Sequence, residues 1–120
     1  MKKKFSCIFL FFLLISCKYD EIKQNKKFTF GVIDNYSKHY RSYAFFPEYS
    51  YTVNGVKYKG SHSDAFEMSF WKSYENKWFP VVYSSKNPQK SFILIKPKDF
   101  ESWGLEFPDS LNWVKDKIGF

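Results

Sequence analysis

The segment EYSYTVNGVKYKG, residues 48–60, constrains the fold more than any other part of this chain. Its first half alternates aromatic or β-branched residues with polar ones, which is typical of a half-buried strand. Asn54-Gly55 is the preferred two-residue type I′ turn, because both of its positions require a positive φ. A two-residue loop also sets the register, so Tyr51 should face Tyr58. The segment therefore predicts an antiparallel hairpin.

Several other segments also predict strands. A second hairpin is predicted over residues 79–95, where two apolar runs flank a turn at Asn87-Pro88. Residues 92–95 are apolar on both faces, which is typical of a central, covered strand. Residues 28–33 predict a first strand, and residues 66–71 are a weaker candidate.

The C-terminal part of the chain predicts short helices. Pro108-Asp109-Ser110 supplies a helix start, and apolar residues then recur at helical spacing up to a stop at Gly119. Residues 99–103, before Gly104, predict one further helical turn. The expected fold is mainly β: a small curled sheet or barrel of about five strands with one or two short C-terminal helices.

Aromatic packing has to stabilise this fold, because the only cysteines are Cys7 and Cys17, both near the N-terminus. The 104 residues from Cys17 onward contain 11 Phe, 9 Tyr and 4 Trp, a load that suits strands and a core. An exposed tryptophan would instead suit contact with a partner. We expect most of the four tryptophans to lie in the core; they are Trp71, Trp78, Trp103 and Trp113.

The N-terminus has the features of an export signal. Lys2-Lys3-Lys4 forms a positive n-region, and residues 5–15 form an apolar run of 11 residues. As a helix this run would reach only about 17 Å, against about 30 Å of membrane hydrocarbon. Leu14-Ile15-Ser16-Cys17 then resembles the lipobox of bacterial lipoproteins. The alternative is an ordinary secretory signal that contains a cysteine by chance.

The lipobox resemblance implies a processed and acylated protein. Lipoproteins of this kind are cut before the cysteine, here between Ser16 and Cys17, and Cys17 would carry acyl chains such as palmitate. Two or more chains anchor a protein stably where one binds only marginally. The expected organisation is a signal peptide over residues 1–16, an acylated cysteine with a flexible tether over residues 17–27, and a single β-rich domain over residues 28–120.

The residues after Cys17 bear on localisation. No aspartate follows Cys17 directly, so the chain does not resemble lipoproteins retained in the inner membrane. Lys18 followed by Asp20 and Glu21 is similar to the tag that some Gram-negative lipoproteins use to reach the cell surface. Tyr19, which stands between the lysine and the acidic residues, departs from the strictest form of that sequence pattern. We expect a lipid anchor in the outer membrane and leave periplasmic or surface orientation open.

A second set of motifs involves the domain itself. Gly31-Val32-Ile33, residues 51–58 (YTVNGVKY) and Val81-Val82-Tyr83 with Asn87-Pro88 follow one another along the chain. Together they resemble a widespread family of small bacterial β-domains of unknown function, over about residues 28–96. Glu75-Asn76-Lys77 replaces the glycine turn of that family. The resemblance implies a fold, and it implies no activity, because no catalytic residue is assigned to the family.

Ser61-His62-Ser63-Asp64 combines nucleophile, base and acid types within four residues. A catalytic triad needs such groups to converge from separate elements, whereas neighbours on an extended chain point to opposite faces. A zinc site needs three or four ligands, and His39 is the only other histidine. We therefore interpret the segment as a polar loop, and predict no catalytic residue, metal or cofactor.

The net charge argues against a nucleic-acid partner. Three of the 19 basic residues lie in the signal, which leaves 16 against 12 acidic residues, a net charge of +4. The lysines are scattered, whereas nucleic-acid binding requires a clustered basic patch.

Residues 35–43, NYSKHYRSY, mix tyrosines with cations and predict a loop. Within it, Tyr40 and Arg41 are the candidate binding residues, since tyrosine offers large contact area at small entropy cost and a guanidinium is a planar, multidentate donor. The alternative is a solvated loop without a binding role.

The leading hypothesis is a lipid-anchored cell-envelope protein that acts as a non-enzymatic binding or structural module. Its partners would be the membrane, through the lipid on Cys17, and an envelope protein or polysaccharide. One alternative is an immunity-type lipoprotein that neutralises a toxin. The other is a small envelope hydrolase that uses His62 or His39.

Overall fold

Six β-strands and several short helices form the part of the chain that the computed structural model describes, residues 19–38 and 43–119. The strands are β1 (Lys26–Lys38), β2 (Ala44–Val53), β3 (Val56–Ser61), β4 (Phe66–Glu67), β5 (Trp78–Ser84) and β6 (Ser91–Ile93). The helices are α1 over residues 19–24, α2 (Trp71–Tyr74), α3 (Pro97–Ser102) and 3₁₀ helices at Met68–Phe70 and Asp109–Asp116. The prediction of a mainly β fold with short C-terminal helices is confirmed.

The strands form one antiparallel sheet in the order β3-β2-β1-β5-β6, and β4 pairs with the beginning of β2. This sheet curls into a half-barrel. Two hydrogen bonds cross its interior from β2 to the β5–β6 hairpin. The hydroxyl of Tyr49 lies 2.8 Å from Ser91 Oγ, and the hydroxyl of Tyr51 donates to the carbonyl of Pro88 at 2.6 Å. These bonds hold the two halves of the curled sheet together.

Two hydrophobic clusters lie on opposite faces of the sheet. The main core fills the inner face, and its largest members are Phe45, Tyr49, Phe66, Tyr74 and Phe79. The outer cluster is smaller and packs α1 and α3 against β5 and the end of β6; it consists of Ile22, Val82, Leu94, Phe100 and Trp103. The faces separate because successive residues of a strand point to opposite sides.

The first hairpin is confirmed in register as well as in type. Tyr51 pairs with Tyr58, with ring centroids 5.6 Å apart. The turn residues Asn54 and Gly55 have φ values of 51° and 81°, as a type I′ turn requires. Alternation fails at Ser50, which is buried and whose hydroxyl donates to Asp34 on β1 at 2.6 Å, and at Val56, which is 51% exposed.

Replacing Gly55 by valine should destabilise the domain by about 1–2 kcal/mol, since a β-branched residue is strained at positive φ. A Cβ at this position would meet no atom within 4 Å, so the expected cost comes from backbone strain and not from a clash of the Cβ. Thermal unfolding measures the effect, with Thr52→Val on the exposed face of β2 as the control. Equal midpoints for Gly55→Val and the control would contradict the type I′ turn.

The second hairpin is confirmed, but the predicted position of its second strand is wrong. Val81 pairs with Ile93, and Val82 with Phe92. However, β6 is an edge strand of three residues rather than a central one. Residues 92–95 are apolar on both faces for a different reason. Ile93 faces the main core, and Leu94 is covered by the helices of the outer cluster.

The other predicted elements differ mainly in their bounds. Residues 66–71 form only the two-residue β4 before the chain turns into helix. Residues 99–102 belong to α3, whose C-cap is Trp103, and Gly104 follows with a φ of 71°. The helix after Pro108 is a 3₁₀ helix, and its Val114 is fully buried in the main core.

Residues 19–27 differ from the flexible tether that we predicted over residues 17–27. Residues 19–24 are helical, and the side chain of Ile22 is fully buried in the outer cluster. Lys26 and Lys27 already belong to β1. The physical reason is that the apolar side chain of Ile22 and the ring of Tyr19 both gain packing in the outer cluster.

Candidate functional site

The predicted site residues lie outside the described part of the chain. Ser16 and Cys17 precede it, and Tyr40 and Arg41 fall between its two ranges, so their roles stay predictions. The predicted loop over residues 35–43 is wrong for residues 35–38, which continue β1 in pairing with β2.

His62 occupies a buried position that joins the end of β3 to α3. Its Nε2 lies 2.8 Å from Oδ2 of Asp99, and its Nδ1 accepts the backbone N–H of Asp64 at 3.0 Å. Because Nδ1 accepts, the neutral ring carries its proton on Nε2 and donates it to Asp99. Both nitrogens of the ring are therefore engaged within the protein.

Asp99 is held as an anion by several donors. Its Oδ2 accepts hydrogen bonds from His62 and from the backbone N–H groups of Ile95 and Lys96, at 3.0 and 2.9 Å for the backbone groups. Burial acts to raise the pKa of the Asp99 carboxyl, but these hydrogen bonds outweigh it and lower the pKa below its ordinary value of 3.8. Asp99 also caps α3, where it takes the third helical position after Lys96 and Pro97.

Asp64 completes this network on its solvent side. One carboxylate oxygen lies 3.1 Å from Nζ of Lys96 and 3.4 Å from Nζ of Lys98. Burial acts to raise the pKa of Asp64, but the hydrogen bond and charge of Lys96, with further electrostatic contributions from His62 and Lys98, lower it overall. Sequence reasoning missed this network, although a Lys-Pro-x-Asp helix start at residues 96–99 signals a capping carboxylate.

The ligand atoms of His62, Asp64 and Asp99 lie within 4.8 Å of one another, which is the spacing of a metal site. The surrounding groups do not suit a cation. Both nitrogens of His62 are used, and the ammonium groups of Lys96 and Lys98 already neutralise Asp64. The cluster is therefore best explained as a structural network that fixes α3 to the sheet.

The same hydrogen bonds bear on the hydrolase alternative. A cleft of about 280 Å³ lies beside His62 and includes Ser61, Ser63, Tyr19 and Trp103 in its walls. A general base needs a free ring nitrogen within reach of the nucleophile. His62 offers none in this arrangement, so it is not placed to activate Ser61 or Ser63. His39, the other candidate base, lies outside the described residues.

Three of the four tryptophans contribute to the packing of the two clusters, and of these Trp103 is buried while Trp71 and Trp113 are partly buried. Trp103 belongs to the outer cluster, and Trp71 and Trp113 pack against the main core. Trp78 is different, because it is 61% exposed on the outer face of β5.

Trp78 is part of a continuous exposed apolar surface, here called the aromatic strip. It consists of Phe28, Phe30, Val32, Trp78, Pro80 and Leu105. Phe30 is 62% exposed, and Phe28 and Leu105 are 45% and 39% exposed. Exposed apolar residues gathered in one patch mark contact surfaces, whereas scattered ones are ordinary.

Strand pairing creates the aromatic strip. Phe28, Phe30 and Val32 alternate along β1, and Trp78 and Pro80 alternate along β5, so each set points to one face. The β1–β5 register places Phe30 opposite Pro80 and Val32 opposite Trp78, which joins the two sets. The alternation in residues 28–32 and 78–82 is the signal in the sequence that could have identified this surface.

Two shallow grooves follow the aromatic strip. One, of about 470 Å³, is lined by Phe28, Thr29, Phe30, Pro80 and Leu105, and contains no charged side chain. The other, of about 420 Å³, runs toward β3 past Trp78 and includes Lys57 and Asp34. The strip can therefore bury apolar groups along β1, with a cation available at its β3 side.

No helix among the described residues is long and apolar enough to cross a membrane. No protein-family model matches this chain, and neither a curated protein nor a solved structure shows significant similarity to it.

Proposed function

We propose that this chain is a lipid-anchored cell-envelope protein that works by surface contact, without catalysis, through the aromatic strip. The observation that carries this proposal is the strip itself: Phe30 and Trp78, the two largest contributors, are more than half exposed on a well-packed sheet. Large aromatic side chains in water gain free energy when a partner covers them, at roughly 25 cal/mol per Å² of apolar surface. Such residues dominate binding hot spots.

The internal packing of the domain supports a contact surface rather than an incomplete core. The inner face of the sheet is filled by Tyr49, Phe66, Tyr74 and Phe79, all of them at most 1% exposed. Among the described residues, no buried side-chain nitrogen or oxygen lacks a hydrogen-bond partner. The strip is therefore not needed to complete the fold.

The anchor half of the proposal rests on the lipobox at residues 14–17. We expect Cys17→Ser to abolish incorporation of a fatty-acid analogue, because only the thiol of Cys17 supplies the nucleophile for thioether formation. Metabolic labelling followed by immunoprecipitation measures this, and the loss should be complete.

Cys7→Ser is the matched control, since Cys7 lies within the apolar run and precedes the expected cleavage point. This variant should be labelled like the wild type. Equal labelling of Cys17→Ser and wild type would disprove the lipid anchor on Cys17.

A further inference from the structure

We propose that the aromatic strip rests on the surface of the membrane that holds the lipid of Cys17, so that the domain lies on the bilayer in a fixed orientation. This inference rests on the proposed anchor and adds to it the identity of the partner: a lipid surface containing anionic headgroups.

The position of the chain before the domain supports this partner. Ile22 of α1 packs against Val82, and Val82 follows Trp78 and Pro80 on the same outer face of β5. The anchor segment therefore joins the domain on the face that carries the strip. A lipid attached there starts on the strip's side of the sheet.

The first described residue of α1, Tyr19, lies close to one end of the strip. The ring of Tyr19 packs 4.9 Å from that of Trp103, and its hydroxyl donates to the carbonyl of Ser102 at 3.3 Å. Leu105, two residues beyond Trp103, belongs to the strip. Cys17 is two peptide units before Tyr19, so their Cα atoms are at most about 7.6 Å apart. An acyl chain on Cys17 therefore begins near Tyr19.

The residue types of the strip suit a membrane interface. Tryptophan and other aromatic side chains favour the boundary between headgroups and acyl chains, where apolar rings are buried to a shallow depth. Phe28, Phe30, Trp78 and Leu105 together present such a surface, and the groove between Phe28 and Leu105 has no charged lining.

Charge on the same face is complementary to anionic lipid. Lys26 precedes Phe28 on the outer face of β1, and Lys57 and Lys59 occupy the outer face of β3. Each lysine near an anionic membrane surface favours binding by electrostatic attraction. Two acidic groups share this face at the far end of the strip: Asp34, whose carboxylate accepts a hydrogen bond from Ser50, and Glu48 on β2, which lies in one groove with Asp34 and Lys59.

The test uses the full acylated protein, extracted in detergent and reconstituted in vesicles of phosphatidylethanolamine and phosphatidylglycerol. The acyl chains of the lipid carry bromine, which quenches tryptophan fluorescence on contact. Comparing wild type with Trp78→Phe isolates the emission of Trp78. We expect brominated lipid to remove most of that emission.

Matched variants show whether the whole strip is responsible. Phe30→Ser should reduce the quenching of Trp78, whereas Tyr43→Ser, which alters a side chain that is 74% exposed outside the strip, should not. Both variants should retain the wild-type thermal midpoint, since exposed substitutions change stability by at most about 0.5 kcal/mol.

The outcomes separate the membrane contact from the anchor. Protein that carries the fatty-acid label and remains with the vesicles, but whose Trp78 emission is unquenched, would overturn the membrane contact and leave the anchor in place. Self-association in detergent that Phe30→Ser abolishes, together with unquenched Trp78, would assign the strip to a second copy of the chain. Capture of an envelope protein under the same conditions would assign it to a protein partner. Absence of the label would overturn the anchor and the membrane contact together.

Discussion

Asp99→Ala should lower the free energy of unfolding by about 3 kcal/mol, because hydrogen bonds to a buried charged group contribute about 1.5–3 kcal/mol each. The substitution leaves the Nε2–H of His62 and the backbone N–H groups of Ile95 and Lys96 without their acceptor. It also removes the cap of α3. For a domain of about 100 residues, the thermal midpoint should fall by roughly 12–24 °C.

Glu101→Ala is the control, since Glu101 lies on the same helix and its side chain is exposed. That variant should unfold within about 0.5 kcal/mol of the wild type. Equal midpoints for the two alanine variants would show that the hydrogen bonds of Asp99 do not stabilise the domain.

The Asp99 network also predicts a dependence on pH. A carboxyl whose pKa is lowered by folding stabilises the protein above its unfolded pKa, and this contribution is lost as the pH falls through the folded value. The stabilisation that ionised Asp99 contributes should therefore be lost at pH values below the ordinary pKa of its carboxyl, 3.8. Asp99→Asn keeps an acceptor oxygen but has no proton to gain, so its stability should converge with that of the wild type in this acidic range. A constant difference between the two down to the acid transition would contradict the lowered pKa.

Gly60→Ala should destabilise the domain by about 2–3 kcal/mol through overpacking, although it adds a single methyl group. Gly60 pairs with Tyr49 across the β2–β3 ladder, and a Cβ at Gly60 would approach the Oη and Cζ atoms of that ring, the latter to 2.5 Å. Tyr49 cannot easily move, because it is 1% exposed and its hydroxyl is bonded to Ser91 across the interior. The thermal midpoint should fall by roughly 8–24 °C.

Gly104→Ala is the matched control, since its Cβ would meet nothing within 4 Å and only its positive φ is strained. That variant should lose about 1 kcal/mol. A double-mutant cycle with Tyr49→Leu identifies the cause, because removing the ring should make Gly60→Ala much less costly. The same cost in both backgrounds would disprove the contact with Tyr49.

The predictions that the structure confirms depend on local chemistry. The hairpin at residues 48–60 follows from alternation and a turn of two residues, both of which act over a few positions. The helix start at Pro108 and the glycine stop at Gly104 are similarly local, whereas the 3₁₀ helix ends at Asp116, before the stop predicted at Gly119. The lipobox at residues 14–17 is also a local pattern, and its role remains a prediction.

The predictions that differ from the structure concern placement within the sheet. Residues 92–95 look like a central strand because both of their faces are apolar, yet β6 lies at the edge and is covered by helices. Residues 35–38 look like a loop because of their polarity, yet they continue β1 by pairing with β2. Pairing partners, which are distant in sequence, decided both cases.

The sequence by itself determined the class of the fold and its first hairpin, because turn geometry and side-chain alternation act between neighbouring residues. Only the tertiary structure decided the two features with functional consequences. His62 meets Asp99 from 37 positions away, which converts a motif with catalytic residue types into a structural network. The aromatic strip exists because the β1–β5 register places Phe30 beside Pro80 and Val32 beside Trp78. Alternation within residues 28–32 and 78–82 assigns each set to one face, but the pairing that joins the two sets depends on the packing of the whole chain.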